Sequence, residues 1–450
     1  MNTAGNAKSN IVNMTEGNPM KLILTFSLPM LVGNLFQQLY NLADSIIVGR
    51  LLGSNALAAV GATGSVTFMF FALCNGIAAG GGIITSQLFG GGDDSGVKKS
   101  ITNTGYIMLV FPIVVGTVSF ILTQPLLRLL ETPDSIMSDS VVYMQIMCVG
   151  TVFVAMYNYI ASMLRALGDS KTPLIFLVVS CIINVFLDIF MVYTLDMGVK
   201  GAAVATIVSQ FISGFACIVY AVKTNEYFKF TIEDLRFDKK ITTDVIRLGV
   251  PLSLQFSLIA ISCMALQKVV NSFGAIAAAA FTATSRIEQL IHQPYTTLGS
   301  SLSTYTGQNY GAARNDRVII GYKKSLIIMV VFSAIMLPFM WLFGDNIMML
   351  FVKEQEVIVM GATALRITSM FYAFLGVIYV VRGVLNGLGD AFFALLNGIV
   401  EVIGRFTVPI ALTMIPAIGL WGIWWSVGVV WFMSGFTAWL RYLWYKKRLL

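Results

Sequence analysis

Four acidic residues lie inside long apolar stretches of this sequence, namely Asp44, Asp188, Glu288 and Glu401. An ionisable side chain in such a stretch costs a few kcal/mol or more, so each acid is a candidate for ion or substrate binding. Asn184 precedes Asp188 by four residues and therefore shares a helical face with it. These oxygen-bearing side chains are therefore the first candidates for binding an ion or a substrate.

Three of the oxygen-bearing side chains are predicted to lie at one depth. Asp44, Asp188 and Thr206 lie on three different predicted helices, each about five or six residues from the helix end that faces outside. A helix rises about 1.5 Å per residue, so the three side chains reach a similar level. With the Asn184 amide they would supply two carboxylates, an amide oxygen and a hydroxyl, which suit Na⁺ or a shared proton. The alternative is structural, with each acid capped by a neighbouring amide or hydroxyl.

A polar stripe follows the helix that carries Asp44. Gln37, Tyr40 and Asn41 precede this acid at spacings that place all four side chains on one helical face. Such a face must point to a cavity or to another helix, because polar groups are costly against lipid. Substrate contact and packing of amides between helices are both open interpretations.

The acids of the second half have basic or imidazole neighbours. Glu401 and Arg405 are spaced i, i+4 in the favourable acid-before-base order, which predicts an ion pair on one helix. Glu288 and His292 share another face by the same spacing. This histidine, the only one in the chain, would be a proton relay or a packed hydrogen-bond partner. Arg382 lies near a predicted helix end and is expected to snorkel to the membrane surface.

The composition around these residues is that of a membrane protein. Hydrophobic residues make up 57% of the chain and charged residues 11%, well below the roughly 25% of soluble domains. A span needs around 20 apolar residues. Twelve such stretches lie near residues 22–49, 55–88, 100–124, 137–165, 172–194, 201–222, 244–273, 276–306, 322–343, 359–388, 392–415 and 420–443. The predicted fold class is an all-α membrane protein with twelve transmembrane helices.

The spans form two related sets of six. Gly168 and Asp169 return as Gly389 and Asp390, an offset of 389 − 168 = 221 residues. A duplicated set of apolar helices is typical of secondary transporters, whose substrate sites lie where the two copies face each other. The sequence therefore predicts a transporter built from two six-helix repeats.

The repeat also provides an internal control for the candidate site. The positions equivalent to Asp44, Asn184, Asp188 and Thr206 are occupied by Leu266, Arg405, Pro409 and Val427. The second repeat thus conserves the glycines of the first but lacks its acidic cluster. An ion site is predicted in the first repeat only.

The predicted organisation is a cytoplasmic tail at 1–20, a first lobe at 21–222, an inter-lobe loop at 223–243, a second lobe at 244–443 and a basic tail at 444–450. Lys and Arg concentrate in one set of loops, which predicts a cell-membrane protein with both termini in the cytoplasm. The same residues account for the net charge of +7 and match no nucleic-acid-binding module. Five cysteines without metal-ligand spacing predict no metal centre.

Several motifs are similar to those of a known transporter family. RALGDSKTP follows the fourth span, the fifth holds Asn184 and Asp188, GVKGAAVAT opens the sixth, and SQLFG and GQNYG close the second and eighth. In this order they resemble the multidrug and toxic compound extrusion (MATE) family, over nearly the whole chain from Pro19 to Arg441. The resemblance implies two six-helix lobes around a V-shaped cavity, with alternating access between them.

The resemblance also implies a site. One branch of that family binds a cation in its first lobe with an Asp on helix 1, an Asn and an Asp on helix 5 and a Thr on helix 6. These positions match Asp44, Asn184, Asp188 and Thr206. Ile189 stands where that branch often has Pro, which leaves the bending of helix 5 open.

The expected function is export across the membrane. We expect a secondary transporter, not an enzyme, that exchanges inward-moving Na⁺ or H⁺ for outward-moving organic molecules of cationic, amphipathic character. It would act as a monomer in the lipid bilayer, with no cofactor besides the coupling ion.

Two other functions are compatible with parts of the sequence. A flippase for lipid-linked saccharides would use Arg382 and Arg405 in a basic cavity. A membrane-embedded transferase would use Asp93 and Asp94, although the second Asp-rich motif needed to hold Mg²⁺-diphosphate is missing from the sequence.

The predicted topology is open to a labelling test. Cysteines introduced at Glu233 and at Lys353 of a cysteine-free variant should react with an impermeant thiol reagent from opposite sides of the membrane. Position 233 should react from the cytoplasm and position 353 from outside, as measured in intact cells and inside-out vesicles. Reaction of both positions from one side would refute the twelve-helix arrangement.

Overall fold

The computed structural model describes residues 10–449, apart from the side chains of residues 260, 261, 263–265, 268, 448 and 449. Most of the first half of the predicted tail 1–20, and the last residue of the tail 444–450, lie outside the described residues. The described chain is almost entirely helical and contains no strand.

Thirteen α-helices form within the described part of the chain. They are α1 (Pro19–Leu51), α2 (Ser54–Gly90), α3 (Asp94–Leu129), α4 (Asp134–Ala166), α5 (Lys171–Asp188), α6 (Val199–Thr224), α7 (Lys239–Asn271), α8 (Ala275–Gly311), α9 (Asn315–Met349), α10 (Gln355–Ser369), α11 (Tyr372–Gly387), α12 (Ala391–Thr413) and α13 (Gly422–Leu449). A π-helical segment, Ile189–Thr194, continues α5, and short 3₁₀ turns cover Glu226–Phe228 and Gly419–Trp421.

These helices confirm the predicted fold class. Among the described residues nine helices are long and apolar enough to cross a membrane, and ten spans result if α10 and α11 count as one. The more polar α8 and the incompletely described α7 cover the two remaining predicted spans. The helical order therefore follows the predicted two sets of six.

One predicted span differs from the structure. Residues 359–388 were expected to form a single helix, but α10 and α11 meet at a bend of 52° around Met370 and Phe371. The hydroxyls of Thr368 and Ser369 donate to the carbonyls of the preceding turn, at 3.4 and 2.8 Å. Such side chains compete with the backbone and bend helices, and the apolar residues at the bend conceal it in a hydropathy pattern.

The backbone repeats at the predicted offset. Gly168 and Gly389 have φ values of 86° and 89°, and Gly53 and Gly274 have values of 89° and 92°. Each glycine occupies a left-handed position beside a helix end, where other L-residues are strained. At Gly168 a side chain is also excluded by space, because a Cβ there would lie 2.1 Å from the carbonyl oxygen of Val12.

The chain divides into two compact units. The first runs to Met14 and covers Leu28–Leu254; the second comprises Thr15–Ser27 and everything described from Gln255 onward. The chain therefore passes between units inside α1 and α7, while the loop at 223–243 lies within the first unit. In the first unit α2 meets α7 at backbone distance, since a Cβ at Gly76 would lie 2.2 Å from the amide nitrogen of Ser253.

Candidate ion-binding site

The candidate site lies within the first unit, on α1, α5 and α6. Asp188 is the last residue of α5, and the π-helical segment starts at the next residue, Ile189. Single π turns inside helices are rare and frequently mark functional sites. The helix therefore leaves regular α geometry beside the candidate carboxyl, although Ile189 stands where a proline was expected from the resemblance.

The carboxyl groups of Asp44 and Asp188 lie within hydrogen-bonding range of each other. Asp188 is fully buried, Asp44 is half-buried, and one oxygen of each is shielded from solvent without a hydrogen-bond partner. Neither acid takes part in an ion pair among the described residues. Two carboxylates at this distance repel each other unless a proton or a cation lies between them.

Asn184 holds one of the two carboxyls in place. With its amide oriented to satisfy both ends, the nitrogen donates to Oδ2 of Asp188 at 2.7 Å and the oxygen accepts from the Thr206 amide at 3.2 Å. The amide oxygen thus faces the backbone of α6, and the carboxyl pair receives an N–H. With the two amide atoms exchanged, the oxygen instead faces Oδ2 of Asp188, which is the arrangement that the predicted cation ligand set requires.

Two tyrosines complete the surroundings of the acids. The hydroxyl of Tyr40 lies within hydrogen-bonding range of the Thr206 hydroxyl, which itself donates to the carbonyl of Ala202 at 3.1 Å. Tyr143 of α4 is buried and interacts electrostatically with both acids. Sequence reasoning missed Tyr143; its only signal was a polar tip within an apolar span.

The rest of the predicted stripe on α1 does not join the carboxyl pair. Gln37 and Asn41 are exposed, and the carbonyl of Asn41 accepts a hydrogen bond from the Ser45 hydroxyl at 2.9 Å. Of the stripe, therefore, only Tyr40 and Asp44 lie at the site.

An apolar cluster lies one helical turn away from Asp44, Asp188 and Thr206. Val48 follows Asp44, Val192 follows Asp188, and Ala202 precedes Thr206, each by four residues; all three belong to one buried cluster. Packed side chains of this kind exclude water and fix the helices that carry the polar groups. Among the described residues no set of three or more His, Cys, Asp or Glu side chains forms a metal site.

The second unit contains a different polar cluster. Glu401 binds Arg382 at 2.6 Å, contacts Arg405 at 3.8 Å and accepts from the Ser434 hydroxyl at 3.0 Å. The predicted i, i+4 pair is present, but the closer partner is Arg382, which also donates to Asn397 at 2.7 Å. The expectation that Arg382 snorkels is wrong, because a buried carboxylate 19 residues away holds its guanidinium inside the unit.

Glu288 and His292 have separate surroundings despite their shared helical face. Glu288 lies within hydrogen-bonding range of Thr368, near the bend between α10 and α11. The His292 ring packs edge-on against Trp431 at a centroid distance of 5.4 Å. One Glu288 oxygen and Nε2 of His292 are shielded and have no hydrogen-bond partner in the described structure.

Comparison with known proteins identifies the family. A sequence model of the MatE family matches residues 29–190 and 251–415, one stretch in each repeat. The chain is 30% identical over 434 residues to the probable multidrug resistance protein YpnP of Bacillus subtilis, covering 96% of both chains. It is 22% identical over 423 residues to the multidrug export protein MepA of Staphylococcus haemolyticus, covering 94% of this chain and 93% of the other.

Solved structures share the fold. A MOP superfamily transporter from Pyrococcus furiosus superposes with a TM-score of 0.91 at 24% identity, and an outward-facing multidrug resistance MATE family transporter with 0.90 at 24%. Both matches cover 99% of each chain. The protein is a multi-pass membrane transporter, not an enzyme. It belongs to the MatE family.

The buried cluster around Glu401 predicts a stability effect. Glu401→Gln leaves Arg382 and Arg405 without their carboxylate, and removing one partner of a buried ion pair costs about 3–5 kcal/mol. We expect a clear fall in the melting temperature of the purified protein. Glu356→Gln, at an exposed acid, is the matched control and should melt like the parent. Equal melting of both variants would contradict a structural role for Glu401.

Proposed function

We propose that the protein is a cation-coupled antiporter that exports organic cations of amphipathic character in exchange for inward-moving Na⁺ or H⁺. The observation that carries this proposal is the pair of carboxyl groups, Asp44 and Asp188, within hydrogen-bonding range inside an apolar helical unit. In this proposal the transporter is a monomer in the cell membrane with both termini in the cytoplasm.

The coupling follows from the charge of the pair. Two unit charges about 4 Å apart repel by about 4 kcal/mol at an effective dielectric constant of about 20. A proton or Na⁺ relieves that repulsion and lowers the negative charge of the pair, which weakens its attraction for a cationic substrate. Because each ligand favours a different charge state, binding of one opposes binding of the other, and their exchange is coupled through differential affinity.

Support for drug-like substrates comes from the relatives. YpnP is named as a probable multidrug resistance protein and MepA as a multidrug export protein. An acidic pair without a basic partner among the described residues favours a cationic substrate over an anionic one. The names support the export of drugs, and the acidic pair supports a cationic substrate.

The structure gives the alternative functions less support. Arg382 and Arg405, the basic groups of the flippase hypothesis, are engaged by Glu401. Asp93, from the transferase hypothesis, caps α3 by accepting from the Gly96 amide at 2.8 Å. Its neighbour Asp94 accepts from the Tyr227 hydroxyl at 2.7 Å. These side chains have structural partners, whereas Asp44 and Asp188 have no basic partner among the described residues.

The acidic pair is tested by two nearly isosteric changes. Asp44→Asn and Asp188→Asn should each abolish ion-driven efflux from proteoliposomes, because they remove a titratable charge without removing volume. Folding and insertion should persist in both. Asp139→Asn, at an exposed acid of the same unit, is the matched control and should transport like the parent. Full transport by both site variants would sink the proposed site.

The identity of the coupling ion is tested at Thr206. If Na⁺ and a proton compete for the carboxyl pair, the apparent affinity for Na⁺ should weaken as pH falls. Thr206→Val removes a neutral oxygen without changing charge, so it should reduce Na⁺ binding more than proton-driven efflux. Thr151→Val removes a hydroxyl that likewise donates to the carbonyl four residues earlier, at 3.1 Å, and is the control. If the affinity for Na⁺ does not change with pH, or is the same in the parent and in Thr206→Val, the ion binds elsewhere.

A further inference from the structure

The segment between α6 and α7 has a fixed conformation in the first unit. Phe228 is buried, and the Asn225 side chain accepts from the Tyr227 amide at 3.0 Å, which shapes the 3₁₀ turn. The Tyr227 hydroxyl donates to Asp94 at the start of α3, and burial raises the pKa of this tyrosine to about 12. The segment is therefore anchored at its first turn.

The following residues are bound to α3 through their backbone. Side chains of three α3 residues donate to three successive carbonyls: Thr102 to Asp234 at 2.7 Å, Tyr106 to Leu235 at 2.7 Å and Asn103 to Arg236 at 3.3 Å. Asn103 also accepts from the Asp238 amide at 2.9 Å. Because the carbonyls point at α3, the backbone is satisfied while several side chains of the segment remain exposed.

The exposed side chains include large apolar ones. Ile232 is 83% exposed, Leu235 46% and Phe237 66%. An apolar group of this kind on a water-facing loop marks a binding surface. The three residues lie close in sequence on one fixed segment and are its apolar patch.

This patch continues a face of α3 that is exposed to lipid. Tyr106, which binds the Leu235 carbonyl, is itself exposed, and Leu109, Val110 and Ile113 follow on the next turns with similar exposure. Aromatic residues such as Tyr106 are enriched at the membrane interface. The segment thus lies where the apolar surface of a transmembrane helix gives way to water.

The charges of the segment are distributed unequally. Asp234 accepts from both the amide and the hydroxyl of Thr231, and the backbone hydrogen bond is the main reason why the pKa of this carboxyl is lowered. Asp238 caps α7 by accepting from two backbone amides at 2.9 and 3.0 Å. The basic side chains of the segment are instead exposed, namely Lys229, Arg236, Lys239 and Lys240. Besides the exposed acid Glu233, the surface that residues 229–240 offer to a partner is apolar and basic.

We propose that residues 229–240 form an interfacial anchor that inserts Ile232, Leu235 and Phe237 at the boundary of headgroups and acyl chains and binds anionic phospholipid headgroups through its bases. Apolar insertion combined with Lys and Arg is the chemistry by which peripheral segments bind acidic membranes. The continuity with α3 places the segment at the bilayer surface, which makes a lipid surface the occupant.

Insertion is tested with spin labels on single cysteines in a cysteine-free full-length protein, reconstituted in nanodiscs. A label at Phe237 should be more accessible to oxygen than to a water-soluble nickel chelate, and a label at Glu233 should show the reverse. Asn103→Ala releases the backbone of the segment without touching residue 237, and should shift the Phe237 label toward water. Equal nickel accessibility at 233 and 237 in the parent protein would overturn insertion.

Headgroup recognition is tested with a fluorescent label at Phe237 and brominated lipids as quenchers. Brominated phosphatidylglycerol should quench with at least about fivefold higher apparent affinity than brominated phosphatidylcholine, the effect of roughly one interfacial charge. The double variant Arg236→Gln, Lys240→Gln should lower that preference, because only Lys229 and Lys239 of the four exposed bases remain. Lys446→Gln, Lys447→Gln is the matched control at another basic segment and should keep the preference of the parent. Equal quenching by the two lipids in the parent protein would overturn the recognition of anionic headgroups.

Discussion

The repulsion between two carboxyl groups inside an apolar helical unit, without a basic partner among the described residues, is the interaction on which this structure depends. In an apolar environment Asp44 and Asp188 repel each other, and only a proton or another cation relieves that repulsion. The local structure is arranged around this requirement: Asn184 donates to one carboxyl, and an apolar cluster lies beyond both. The first unit therefore carries an acidic pair without a basic partner among the described residues, and the equivalent positions of the second repeat do not.

The two repeats share a backbone arrangement but differ in whether their acidic side chains have basic partners. At the positions of Asn184 and Asp188 the second repeat has Arg405 and Pro409. Its buried acid Glu401 is enclosed by guanidinium groups, a serine and the surrounding helices. Buried charges that neutralise one another add little beyond structure, whereas an uncompensated pair must respond to its surroundings. Duplication has supplied one scaffold for two electrostatic roles.

The sequence predicted the class of fold and the acids of the site, because charge in an apolar span and repeated glycines are strong local signals. It did not predict features that depend on distant contacts. Arg382 finds its carboxylate on another helix, and Tyr143 differs little from other interfacial tyrosines until α4 is packed against the acids. The bend at Met370 is not visible in the hydropathy pattern, because Thr368 and Ser369 are flanked by apolar residues on both sides.

The π-helical segment after Asp188 has a consequence for rotational phase. Along a regular α-helix, positions eight residues apart drift by about 80° around the axis, since each residue turns about 100°. Asn184, Asp188 and Val192 span that distance, yet all three are buried. The wider π-helical turn between Asp188 and Val192 reverses much of this drift. It keeps the amide of Asn184, the carboxyl of Asp188 and the apolar cluster around Val192 on one side of the helix. Loss of a single residue from Ile189–Thr194 would rotate Val192 and the apolar cluster away from the Asp188 carboxyl, which would then contact other side chains.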